Sequence, residues 1–217
     1  MKIYFVRHGE SEGNALGKRQ GPASKLTEKG VKQAEIVAKR VKKIEFEHIL
    51  SSTMERAKQT AEIINSAVDK PITFSDLFRE RKNPSEFIGQ APNSSDVMRI
   101  YEEMNSHNDE PDWHYSDEEN FYDLKRRGLE ALEYLKSLPH ESVLVVTHGV
   151  FMRMLVAVAV YGDKLNFGIY WPMVMSLKTL NTGITVLETK NLQESPVSQP
   201  EWALVTWNDH AHLGEIK

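Results

Sequence analysis

The segment Ser142–Val146 (SVLVV) is the clearest strand in the chain, and it stops at Thr147-His148-Gly149. A short apolar run of this kind fits a strand covered on both faces. A second run, Ile3–Val6, stops in the same way at Arg7-His8-Gly9. Between the two lie alternating patterns. Thr27 with Glu28 opens an amphipathic helix that closes on Lys42-Lys43, cations that favour a helix C-terminus. His48–Leu50 reads as a strand ending at Ser51-Ser52, Met54 to Val68 as a helix, and Pro71–Phe74 as a third strand. Phe121–Leu138 returns to helical period, and an apolar helix follows Gly149 to about Tyr161. Two late strands are expected near Met175–Leu180 and Gly183–Glu188, with an edge strand at Trp202–Trp207. Strands alternating with helices imply an α/β fold: a three-layer, mainly parallel sheet with helices on both faces.

In such a sheet ligands bind at the carboxyl ends of the strands. That rule brings His8, His148 and Arg7 to one edge, with Arg56 on the helix that leaves the third strand end. Arginine presents a rigid fork that matches phosphate oxygens. The helix after Ser52 turns its N-terminus to the same edge, which also favours an anion. An unprotonated imidazole can attack phosphorus, and a second imidazole can stabilise the developing charge. Gly9 and Gly149 are expected to let the backbone turn sharply toward a ligand. An acid is still needed to protonate a leaving alkoxide.

Composition narrows the chemistry. The chain has 217 residues, enough for one domain with an insertion, and no cysteine, which excludes disulfides, thiolate nucleophiles and cysteine-based zinc sites. A net charge of −4 predicts affinity for neither nucleic acid nor anionic membrane. The N-terminal MKIYFVRHGE lacks the apolar core of a signal peptide, and the longest apolar run, Val150–Tyr161, is interrupted by Arg153 and too short to span a bilayer. The expectation is a soluble cytoplasmic enzyme.

Residues 80 to 120 break the rhythm, with Pro84, Pro92 and Pro111, a short helix around Ser95–Met104, and eight Asp or Glu without Lys or Arg between Glu102 and Glu119. This reads as a cap-like excursion over one end of the sheet within a single domain, 1–217. An acidic lid of that kind disfavours highly anionic substrates, and Trp113, His114 and Tyr115 are candidates to contact a leaving group. His210-Ala211-His212 would place two rings on one strand face, a weak metal pattern with no carboxylate spacing to support it.

The ordered blocks resemble the histidine phosphatase superfamily, branch 1, also called the phosphoglycerate-mutase-like fold. They are Arg7-His8-Gly9-Glu10-Ser11 with Asn14, Leu26-Thr27-Glu28-Lys29-Gly30 with Gln33-Ala34, Ser51 through Ala61, Leu77-Phe78-Arg79-Glu80, and Val146-Thr147-His148-Gly149. The resemblance implies a phosphomonoesterase in which His8 forms a phosphohistidine. Arg7, Arg56 and His148 would hold the phosphate, with Asn14 and Ser11 at the rim. Glu80 would protonate the leaving group and then activate water. The resemblance implies no metal and no cofactor. The expected partner is a small phosphorylated substrate, and a homodimer is allowed. A phosphoglycerate-type mutase and a catalytically silent phosphate-binding regulator are the alternatives. The run Arg81-Lys82-Asn83-Pro84 departs from the glycine and aromatic-acidic-glycine pattern that follows the glutamate in many members.

Overall fold

A computed structural model describes residues 1–189 and 201–214. Six strands form one sheet: β1 (Lys2–Arg7), β2 (His48–Ser52), β3 (Ile72–Ser75), β4 (Ser142–Thr147), β5 (Ile184–Thr189) and β6 (Trp202–Asp209), in the order β3-β2-β4-β1-β5-β6. β3, β2, β4 and β1 run parallel, β5 pairs antiparallel with β1, and β6 pairs antiparallel with β5. The alternation of side chains along a strand divides the core. Ile3, Phe5, Val143 and Val145 pack under α5 (Phe121–Lys136), α6 (Gly149–Tyr161) and α7 (Phe167–Ser176). Val6, Leu144 and Val146 pack on the other face under α2 (Glu28–Val41) and α3 (Glu55–Val68). The three-layer expectation is met.

Register fixes the height of the two histidines. Val6 lies opposite Val146 and Arg7 opposite Thr147, and the His8 N–H donates to the Thr147 carbonyl at 3.0 Å. β1 and β4 are adjacent parallel strands ending at the same level, so His8 and His148 emerge side by side. β2 lies on the other side of β4, so α3, which carries Arg56, starts from that same edge.

Two expectations are corrected. Met175–Leu180 is not a strand. Residues Phe167–Ser176 form α7, and residues 177–183 run irregularly to β5. The sequence FGIYWPMVMS holds Gly168, Pro172 and three aromatic rings, so helix propensity is low. The helix is started by the Asn166 side chain, which accepts from the Ile169 N–H, and Tyr170 anchors it in the core. His210 and His212 are not on a strand either: His210 precedes a single 3₁₀ turn after β6, Ala211–Leu213, and His212 lies within it. His210 Nδ1 meets the Asn208 carbonyl and His212 Nε2 meets Thr182 Oγ1.

The segment from residue 80 to 120 holds α4 (Ser95–Ser106) and its own small apolar cluster of Phe87, Val97, Ile100 and Met104, packed against Tyr101, Trp113 and Tyr115. Its two ends are bonded to each other. The Glu119 N–H donates to the Lys82 carbonyl at 2.9 Å, and Arg81 Nε donates to the Glu119 carbonyl at 3.1 Å.

Candidate active site

The loop after β1 is held by the blocks that follow it. Thr27 caps α2 by accepting from the Gly30 N–H, and its hydroxyl donates to Glu10 Oε1 at 2.9 Å. The Glu10 N–H donates to Gln33 Oε1 at 2.8 Å, and the Gly9 N–H donates to Thr60 Oγ1 at 3.0 Å. A Cβ built on Gly9 would lie 2.4 Å from the Gly30 carbonyl oxygen, and one on Gly30 would lie 1.9 Å from the Glu10 carbonyl oxygen. These glycines let two backbone segments touch, so the reason for Gly9 is packing against α2, not approach to a ligand. Gly149 is likewise packed, its Cβ position lying 2.8 Å from Thr179 Oγ1.

His8 is 2 % exposed. Its Nδ1 lies 2.7 Å from the Gly9 carbonyl, which can only accept, so Nδ1 carries the proton. Nε2 then offers its lone pair, and Arg56 Nε donates to it at 3.1 Å. Burial, then the charges of Arg56 and Arg7, holds the His8 pKa well below the usual imidazole range. The ring is therefore neutral, in the tautomer that leaves Nε2 free of a proton.

The guanidinium of Arg56 is fully enclosed. Nη1 donates to the Gly21 carbonyl at 3.2 Å and Nη2 meets Met54 Sδ at 3.3 Å. Burial pulls its pKa down to about 10, with Glu80 acting in the opposite sense, so it stays charged at neutral pH. Arg7 Nη1 donates to the Thr179 carbonyl at 2.5 Å, while Arg7 Nε is buried with no partner among the described residues. The His148 ring centroid lies 5.0 Å from that of His8. Its Nε2 is 2.8 Å from Ser52 Oγ, and its buried Nδ1 has no partner among the described residues. Ser52 Oγ already accepts from the Met54 N–H at 3.2 Å. When the Ser52 hydroxyl donates to His148 Nε2, Nδ1–H is left as an unused donor. Burial first, then Arg56, keeps His148 neutral as well.

Glu80 lies at the start of α6. Its Oε1 accepts from the N–H groups of Phe151 and Arg81, both at 2.9 Å, and Oε2 accepts from the Val150 N–H at 3.1 Å. Two of these are first-turn donors that a helix leaves without intrahelical partners.

Arg7, His8, Asn14, Arg56 and Glu80 line one cavity of about 680 Å³. Ser11 and His148 do not reach its surface. Ser11 is fully buried and its hydroxyl contacts Asn14 Oδ1 at 2.9 Å and Gln20 Oε1 at 2.7 Å, so it positions Asn14 and does not form the rim. His148 lies beside His8, fully buried, with its ring tilted against the His8 ring. The same cavity is lined by Arg81 and Lys82 of the run that departs from the family pattern, and by residues given no role from the sequence: Arg127, Arg153 and Thr179. Asn181, also not singled out, braces the site from behind its lining, its amide donating to the His8 carbonyl at 2.9 Å and to Asn14 Oδ1 at 3.2 Å. Arg153 had a readable signal, being the one charge in an otherwise apolar helix and one turn beyond His148. Asn181 had none, because it comes from an irregular segment far away in the chain.

The acidic stretch is not an acidic lid over this cavity. Of its eight carboxylates only Glu119 lines the cavity, and Arg127 pairs with it at 2.6 Å. Glu118 accepts from the N–H groups of Tyr115 and Ser116, and Asp117 from the N–H and hydroxyl of Ser85, so these acids close their own loop. Trp113, His114 and Tyr115 do not line this cavity, although Trp113 lines one that adjoins it. Trp113 stacks on His107, and His114 Nε2 bonds Asp123 at 2.6 Å.

The family described as the histidine phosphatase superfamily (branch 1) matches the chain from residue 3 to 209. The probable phosphoglycerate mutase GpmB of Proteus mirabilis (strain HI4320) is 30 % identical over 221 residues, covering 100 % of this chain and 96 % of that one. The protein of the same name from Escherichia coli O1:K1 / APEC is 32 % identical over 219 residues, covering 98 % and 95 %. Among solved structures, Bacillus stearothermophilus YhfR superposes with a TM-score of 0.75 at 27 % identity, over 98 % of each chain. A mutant phosphoserine phosphatase from Entamoeba histolytica, in complex with phosphoserine, superposes with the same TM-score of 0.75 at 24 % identity, over 98 % of each chain, and at that identity speaks for the fold alone. Two strand-end histidines backed by an ordered set of blocks over nearly the whole length thus have a single source: the chain belongs to the histidine phosphatase superfamily, branch 1.

Proposed function

We propose that this protein is a phosphomonoesterase that works through a phosphohistidine at His8, with Glu80 as general acid and base. The observation that carries this reading is the tautomer of His8. A neutral ring whose Nδ1–H is fixed on a carbonyl presents Nε2 as a nucleophile, with Arg56 donating to that same atom. In the first step Nε2 forms a bond to phosphorus as the phosphorus–oxygen bond to the alcohol breaks. Glu80, carrying the proton on the less heavily bonded Oε2, delivers it to the leaving oxygen. Arg7, through its unpartnered Nε, and His148, through Nδ1–H, donate to the phosphoryl oxygens, and Asn14 binds at the rim. In the second step Glu80, now a carboxylate, takes a proton from water as the water oxygen attacks phosphorus. Inorganic phosphate leaves and Nε2 is regenerated. The segment from 80 to 120 serves as a cap within the single domain, and no metal is required. A soluble, cytoplasmic setting and a small phosphorylated substrate accompany this reading.

The names of the relatives favour a second reading, a phosphoglycerate-type mutase, in which the phosphoryl group returns from His8 to substrate instead of passing to water. Both readings are tested together. Purified protein in EDTA is expected to release phosphate from p-nitrophenyl phosphate and to form an acid-labile phosphoenzyme, and His8→Ala is expected to remove both. Strict dependence on added metal, or full activity in His8→Ala, overturns the mechanism. Interconversion of phosphoglycerates after priming, with little net phosphate release, selects the mutase.

A further inference from the structure

A second cavity, about 500 Å³, opens beside the first, a size ordinary for a small-molecule site. The two share Arg19, Arg81, Asn83, Val150 and Arg153 as lining residues, so they adjoin. Away from these shared residues their chemistry differs. The first is crowded with guanidinium groups, whereas seven of the residues around the second are Phe, Tyr or Trp, with Met98, Met104 and Met175 among the others. Three large apolar side chains stand exposed here, Met98 at 49 %, Trp171 at 38 % and Met175 at 68 %. Apolar surface gathered in a concavity marks a place where something apolar binds. The Tyr170 hydroxyl belongs to the same lining, is buried, and has no partner among the described residues. Burial raises its pKa, so it remains a donor without an acceptor.

We propose that this cavity receives the alcohol portion of the substrate, and that the substrate is a phosphomonoester of an apolar, ring-bearing alcohol. The inference deepens the phosphomonoesterase reading and rests on it. The order of groups along the cavities sets the shape of the molecule. The phosphate lies at His8 and the two buried arginines. Glu80 is bonded to the N–H groups of Val150 and Phe151, and Val150 is one of the shared residues, so the leaving oxygen falls at the junction. The body beyond that oxygen enters the aromatic cavity between α4 and α7. A short polar alcohol would leave the aromatic lining unfilled and its apolar surface in contact with water.

Phosphonates test the site without relying on turnover, since a carbon–phosphorus bond is not hydrolysed by this chemistry. Butylphosphonate and 4-phenylbutylphosphonate have the same charged head, and calorimetric titration of the full chain compares them. The phenyl compound is expected to bind roughly tenfold or more tightly. Met98→Lys and Trp171→Ala, at the exposed mouth and outside the proposed catalytic groups, are expected to bring the two affinities within roughly threefold while leaving butylphosphonate unchanged. The corresponding phosphates, matched in leaving-group basicity, are expected to show the same ratio in kcat/KM. Equal affinity of the two phosphonates overturns the inference, and so does a preference that both variants leave intact. If the preference holds but neither phosphate is hydrolysed, the catalytic reading fails and the subsite stands. Sedimentation of wild type and Trp171→Ala completes the test. A dimer that the variant dissociates, with no phosphonate preference in either, would make this surface a contact between two copies and overturn the proposal.

Discussion

Arg56 is bound to the proposed nucleophile more directly than any other cation among the described residues, and its three nitrogen atoms have three different partners: His8 Nε2, the Gly21 carbonyl and Met54 Sδ. A lysine keeps the charge but cannot present Nε and both Nη atoms in one plane. Arg56→Lys is therefore expected to fold and to lose about 10²-fold in kcat/KM on p-nitrophenyl phosphate, the cost of a nucleophile and phosphate held about 1 Å out of place. Thermal unfolding beside steady-state kinetics checks it; near-normal kinetics would mean that charge alone suffices. At this scale the sequence was informative wherever a residue follows a recognisable strand or helix start. His8, Arg7, Arg56 and Glu80 meet at one cavity as expected. Ser11 was found but is buried against Asn14 and Gln20, because a spacing along the chain says nothing of which side chain lies in front of another. Asn181 and Thr179 could not be found, since their contacts join residues more than 170 positions apart.

Among the elements, α6 couples the proposed acid to the fold. Glu80 accepts from the N–H groups of Val150 and Phe151, so one carboxylate serves both the helix start and the proton transfer. The two roles separate by substitution. Glu80→Ala leaves first-turn donors unmatched in a partly buried place and is expected to lower stability by about 1–3 kcal/mol, read by urea unfolding. Glu80→Gln keeps an accepting oxygen, so its stability loss should be smaller, yet it cannot transfer a proton. Its rate on alkyl phosphates should fall roughly 10²–10⁴-fold, and less on nitrophenyl phosphate, whose leaving group needs little help. Equal activity of wild type and Glu80→Gln would give the acid role to another residue. Strands and helices with a clean apolar period were legible in the sequence: β1, β4, α2 and α3 lie where the pattern puts them. α7 was not, because its Gly168, Pro172 and aromatic residues weaken every local helix signal, and the contact that holds Tyr170 in the core is tertiary. The acidic stretch shows the same limit. Composition gave its charge, but only the folded segment reveals that Glu118 points its oxygens into the backbone just before it and Asp117 into Ser85.

For the molecule as a whole, the catalytic edge has a measurable cost in acid. The protein buries two neutral imidazoles, His8 and His148, whose pKa values both lie well below 6.5 for reasons of burial and of Arg56 and Arg7 nearby. In the unfolded chain both titrate near the ordinary value, so below about pH 6.5 the unfolded state binds protons that the native state does not. Stability then rises with pH across that window and is lost as pH falls from about 6.5 toward the native-state values, by up to about 1.4 kcal/mol per pH unit for each ring. His114 works in the opposite sense. Its hydrogen bond to Asp123 raises its pKa, so its contribution is present at low pH and fades as pH rises, but that ring is largely solvated and its share is small. Comparing variants isolates the buried rings from all other groups. His8→Asn keeps a side chain of similar polarity that does not titrate. Urea unfolding between about pH 7.5 and 5.5, in buffer free of phosphate, is expected to show a steep decline for wild type and a slope shallower by about one proton for His8→Asn. Equal slopes would mean that His8 takes up its proton in the folded protein, and a protonated ring could not present the free Nε2 on which the proposed chemistry depends.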